Sequence, residues 1–147
     1  MATTFTLVTD TTARIESLFD VSLDIDIHAA SMSKSKERAI AGVTSGRIGL
    51  GETVTWRARH FGLWFTMTSR ITSLDRPHSF TDQQVKGPFK SFHHEHAFTE
   101  TTSGTRMVDT ITVASPMFGV LAERLVLMPY LRRLIKVRNA ELVSAAR

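Results

Sequence analysis

The chain has 147 residues, 42% hydrophobic and 22% charged, the balance of a folded globular chain, and the length suits one domain, 1–147, with one core. It contains no cysteine, which excludes a disulfide scaffold, a thiolate zinc site and a cysteine nucleophile. The net charge of +4 is local: residues 1–116 carry 12 Lys or Arg against 12 Asp or Glu, and the excess follows in Arg124, Arg132, Arg133, Lys136, Arg138 and Arg147. Such basic residues, interleaved with apolar ones at helical spacing, read as the solvated face of an amphipathic helix, so nucleic acid is not an expected partner.

The first element is a strand over Thr4 to Thr9, with Phe5 and Leu7 on one face. Asp10 and Thr11 are candidate helix caps for a short helix over Ala13 to Phe19, and Asp20 or Ser22 for a second over Val21 to Ala30. From Ile40 to Ser115 the apolar period is two, broken at Thr44-Ser45-Gly46, His60-Phe61-Gly62, Asp75-Arg76-Pro77, Lys86-Gly87-Pro88 and Ser103-Gly104. These breaks delimit about six strands, and their short connections imply an antiparallel meander. After Pro116 the spacing becomes helical, predicting a long helix over Met117 to Ser144, kinked where Pro129 lacks an amide hydrogen. A lone antiparallel sheet must cover its apolar face, and this helix is the one element long enough to do so. The fold class is therefore α+β, a curved antiparallel sheet of about seven strands wrapped around a long C-terminal helix, with two short helices after the first strand.

That order, with Gly49 to Leu63, Ile71 to Phe98 and Gly104 to Pro116, resembles the SRPBCC, or START-like, superfamily, and within it the bacterial polyketide cyclase/dehydrase-like ligand-binding branch. The segment running from Asp75-Arg76-Pro77 through Gly87-Pro88-Phe89 to His94-Glu95-His96 and Phe98 carries most of the likeness. The resemblance implies a helix-grip fold with a cavity between sheet and helix that holds an apolar or aromatic molecule. It does not imply one reaction, because carriers, receptors and cyclases share the fold.

Strand alternation sorts the candidate lining. Val54, Trp56, Ala58 and His60 share the inner face of one strand, Leu63, Phe65, Met67, Ser69 and Ile71 that of the next, while Arg57, Arg59, Arg70 and Trp64 point outward. Further on, Phe92, His94, His96 and Phe98 face inward, opposite Met107, Asp109, Ile111 and Val113, with Asp109 across from His96 or one pair away. Phe80 and Asp82 share an inner row, where Asp82 either pairs with His60 or His94 or, the favoured expectation, sits at the cavity mouth. Leu121, Leu125 and Met128 complete the expected lining from the helix. His94, His96 and Asp109 then have three readings: satisfied buried polar groups, a polar anchor for a ligand head, or a general acid/base set. A zinc site on His94 and His96, completed by Asp109, His60 or Asp82, is geometrically open, but no spacing demands it, and no metal is expected. Serine-nucleophile, P-loop and dinucleotide motifs are absent, and no cofactor is expected. The first functional reading is a binder of a small hydrophobic or aromatic molecule, a monomer or weak homodimer. The second is a polyketide cyclase or dehydratase whose cavity histidine moves a proton. With no run of ~18 apolar residues and no signal-peptide pattern at Met1-Ala2-Thr3, a cytoplasmic location is expected.

Overall fold

The computed structural model describes residues 2–115 and 123–147. Among these, β1 (Thr3–Thr11) is followed by α1 (Ile15–Ser22), α2 (Ile25–Ser31) and a 3₁₀ turn at Ser33–Ser35. Then come β2 (Arg38–Gly42), β3 (Thr53–His60), β4 (Leu63–Asp75), β5 (Ser79–Lys86), β6 (Ser91–Thr101) and β7 (Gly104–Ala114). A π-helical turn at Glu123–Leu127 leads into α3 (Met128–Ala146). The seven strands form one antiparallel sheet in the order β1-β7-β6-β5-β4-β3-β2. β2 to β7 are thus a meander, and β1 returns beside β7 over nine residue pairs, Thr3 opposite Val113 through Thr11 opposite Thr105. None of the described helices is long and apolar enough to cross a membrane.

Turn chemistry sets the register. His60 pairs with Leu63, leaving Phe61 and Gly62 as a two-residue turn with φ of 53° and 77°, the left-handed pair that matches strand twist. Gly104 opens β7 opposite Thr101, and a side chain there would run into the Thr11 carbonyl of β1, so the close approach of β1 requires glycine. The early helices are shifted from the expected bounds. β1 runs through Thr11, so neither Asp10 nor Thr11 caps a helix. The cap of α2 is Asp24, whose carboxylate accepts from the Ile27 amide at 3.0 Å.

Two corrections concern the C-terminal segment. Pro129 does not kink the middle of α3 but sits in its first turn, directly after the π turn, so the bond its missing amide costs is the one at that junction. The irregularity lies just before it, in the π turn, because no Pro129 N–H exists to hold the Leu125 carbonyl in α register. Leu125, expected in the core, is 67% exposed on that turn. The expected helical start at Met117, including Leu121, lies outside the described residues.

The core has two apolar clusters. One gathers Ile15, Leu18, Phe19, Phe80, Phe98, Met107 and Leu142, and the other Phe5, Leu7, Phe92, Ile111, Val113, Met128 and Ile135. The elements crossing from one cluster to the other carry polar residues between them, His94 and His96 on β6, Asp109 on β7, Arg138 and Asn139 on α3, and Asp82 on β5 joins this level. This layered arrangement positions the candidate site.

Candidate functional site

A cavity of about 810 Å³ lies between the inner face of the sheet and α3. Trp56, Phe65, Met67, Phe80, Asp82, Phe92, His94 and His96 line it, as do Ala58, His60, Ser69, Ile71, Leu131, Ile135 and Arg138. Phe98, Met107, Asp109, Ile111 and Met128 do not; the four apolar ones belong to the two core clusters and Asp109 lies behind the histidines. Leu125 points to solvent, because the π turn rotates it off the inward stripe. The outward placement of Trp64 holds, with the Arg57 guanidinium stacked 4.3 Å from its ring.

At the inner end the register puts His96 opposite Asp109 and His94 opposite Asp82. His94 Nε2 donates to Asp109 Oδ1 at 2.7 Å, and His96 Nε2 donates to Asp82 Oδ2 at 2.7 Å. A carboxylate can only accept, so both rings carry their proton on Nε2. The two imidazoles stack at 3.7 Å, and Phe80 stacks on His96 at 4.0 Å, giving a three-ring column. His96 Nδ1, 3.3 Å from Asp109 Oδ1, has no hydrogen-bond partner among the described residues. Asp82 is therefore not a solvated group at the mouth, as alternation alone suggested, but a member of this cluster. Its pairing with His94 and His96 across β5 and β6 draws it in.

Two further members come from α3 and were missed at the sequence level. Arg138 Nη2 donates to Asp109 Oδ1 at 2.9 Å, and Asn139 Nδ2 donates to Asp109 Oδ2 at 2.8 Å. Arg138 also donates to Asn139 Oδ1, and Asn139 to Thr9 Oγ1 on β1. Arg138 is buried, contrary to its assignment to a solvated face. The signal was available: Ile135, Arg138 and Leu142 follow i, i+3, i+7, so Arg138 lies on the inward stripe.

Charge follows from this packing. Burial would raise the Asp82 carboxyl, but the His96 hydrogen bond and the nearby His94, His96 and Arg138 charges hold it down, to about 2. Burial likewise opposes ionisation of Asp109, and Arg138, His94 and His96 overcome it, holding that carboxyl far below the usual range. His94 is lowered to about 4, chiefly by burial and then by the His96 charge, against the pull of Asp109 and Asp82. At neutral pH the inner end thus holds two carboxylates, a guanidinium engaged with one of them, and a neutral His94.

Asp82, His94 and His96 place three donor atoms within 4.8 Å of one another. An imidazole lone pair lies in the ring plane, and these rings are stacked within 20° of parallel. Their lone pairs run side by side instead of converging on one ion.

No protein-family model matches the sequence, and no curated protein matches it. Solved structures do. The chain is similar to the Zhui aromatase/cyclase from Streptomyces sp. R1128, at a TM-score of 0.77 and 16% identity, over 99% of this chain and 94% of that one. It is similar to the di-domain ARO/CYC StfQ from the steffimycin biosynthetic pathway, at a TM-score of 0.81 and 13% identity, where 99% of this chain covers 51% of that protein. Ara h 8.0201 matches at a TM-score of 0.68 and 11% identity, over 98% of this chain and 99% of that one. At such identities the likeness shows the fold, a helix-grip α+β fold.

Proposed function

We propose that this helix-grip domain binds a small apolar or aromatic molecule in the cavity between the sheet and α3, with a polar group of the ligand against Asp82, His94 and His96. The observation that carries the reading is the cavity itself. About 810 Å³ walled mainly by Trp56, Phe65, Met67, Phe80, Phe92 and Ile71, with a few polar side chains among them, has the size and composition of a small-molecule site. Core packing alone would have closed so large a space, since interiors pack to crystal-like density.

Native mass spectrometry of protein purified from its own host tests this, because a retained ligand gives the chemical class directly. A second arm uses Ala58, which is buried and lines the cavity. Ala58→Trp should reduce binding of a neutral fluorescent probe, N-phenylnaphthylamine, by about tenfold or more while the fold survives. Unchanged probe binding in a folded variant would refute the cavity as the site.

A cyclase or dehydratase is the second reading. It is favoured by the two imidazoles, His94 and His96, on the cavity wall and by the aromatase/cyclases among the structural neighbours. His96→Gln separates the two. A binder should lose about 1–3 kcal/mol of affinity for a polar-headed ligand, whereas an enzyme should lose about 100-fold or more in turnover.

A further inference from the structure

Among the described residues, titratable side chains that bond to one another on the cavity wall form two groups. Besides the Asp82 cluster there is a second group at the mouth, where His60 Nδ1 and the Tyr130 hydroxyl share a hydrogen bond of 2.6 Å. Beside them His28 Nε2 lies 3.4 Å from Glu37 Oε1, and the Glu37 charge acts on His60 and, against the opposing Arg133 charge, on Tyr130. All four line the cavity, and the Glu37 side chain is only 10% exposed. The mouth is marked by Phe61, which packs 4.5 Å from Tyr130 and is itself 62% exposed.

The two groups are far apart. His60 pairs with Leu63 and Asp82 with Ile71. Those partners are eight positions apart on β4, roughly 26 Å of straight strand at about 3.3 Å per residue before curvature shortens it. The wall between them is mainly apolar, with Trp56, Phe65 and Met67 on the inner face and Ser69 among them.

Both ends present a carboxylate. At the inner end Asp82 Oδ2 is engaged with His96, while Oδ1 makes no hydrogen bond among the described residues and faces the cavity with its residue. Arg138 is the one Lys or Arg among the described cavity-lining residues, and it is already bonded to Asp109 and Asn139. At the outer end Glu37 plays the corresponding part. A ligand carboxylate would meet a like charge at either end, least screened by water at the inner one, whereas an O–H or N–H would meet an acceptor at both.

We infer that the occupant is an elongated apolar molecule with a hydrogen-bond donor, a hydroxyl or an amine, at each end, and that the cavity rejects carboxylates. This rests on the binding reading above and names the ligand class for it. The test is displacement of N-phenylnaphthylamine from the full chain by three matched probes: dodecane-α,ω-diol, dodecanol and dodecanoic acid. The diol should compete better than the alcohol although it is the more water-soluble, and the acid should compete about tenfold less well than the diol. Asp82→Asn should narrow the gap between diol and acid. Glu37→Gln, at the mouth and outside the buried network, should narrow it as well and stands in if the first variant does not fold. Equal competition by all three, or tightest binding by the acid, overturns the two-ended donor ligand and leaves the cavity reading intact. Failure of the fluorescent probe itself to bind defeats the cavity reading instead.

Discussion

The Arg138 guanidinium, on the terminal helix, lies 2.9 Å from the carboxylate of Asp109, on the last strand, and both residues are almost wholly removed from solvent. This contact ties α3 to the centre of the sheet at the level where the apolar clusters part. Arg138→Met should cost about 3–5 kcal/mol, because the Asp109 charge would then be buried with its strongest partner gone. Asp109→Asn in the same chain should recover part of that loss, and chemical denaturation of the two single variants and the double variant measures the coupling. Additive losses would show that the pair does not act as a unit.

Acid should destabilise the protein in two stages. The His94 pKa is about 4 in the folded chain against 6.5 for a free imidazole. The group is neutral in both states above pH ~7, and as pH falls below 6.5 the unfolded chain takes a proton that the folded one refuses. Stability therefore declines from about pH 6.5 toward pH 4, by on the order of 3 kcal/mol in full. His60, lowered by burial, adds to the same stage. Asp82, at about 2 against 3.8, and Asp109, lower still, contribute stability that is present above 3.8 and lost as pH falls further. Urea denaturation between about pH 7 and pH 4.5 should show the first stage in the native sequence, and His94→Gln should flatten it. A native sequence equally stable at both ends of that range would contradict the assignment of a neutral, buried His94.

Leu125 and Leu142 should behave oppositely. Leu125→Ala, on the exposed π turn, should change stability by less than about 0.5 kcal/mol. Leu142, 1% exposed within the cluster of Phe19 and Met107, should cost about 2–5 kcal/mol as Leu142→Ala. Thermal or urea melts of both variants check this, and a large loss at Leu125 would require the π turn to pack against the sheet.

Elemental analysis should find no stoichiometric zinc, and a chelator should leave the melting temperature unchanged. The reason is the stacking of His94 on His96, with each Nε2 proton already given to a carboxylate. About one metal ion per chain, lost on His94→Gln or His96→Gln, would overturn this and favour metal-assisted chemistry in the cavity.

Sequence alone carried the architecture, because its signals are local. Period-two runs broken by Phe61-Gly62 and Ser103-Gly104 specify hairpins, and the inward sets Val54-Trp56-Ala58 and Phe92-His94-His96-Phe98 follow from pleating, which alternates regardless of what lies opposite. Placement of Asp109 across from His96 needed only the position of one turn. What tertiary structure decided is where those faces lead. Asp82 reads as a mouth residue along its own strand, and only pairing with β6 brings it to His96. Arg138 reads as solvated until α3 is laid on the sheet, where a buried Asp109 requires partners. Leu125 loses its place in the apolar stripe because the π turn before Pro129 changes the angular phase by more than periodicity can register. Local preferences therefore set each element and its faces. The polar layer and the shape of the cavity arise from desolvation and charge pairing between residues distant in sequence, which no single segment encodes.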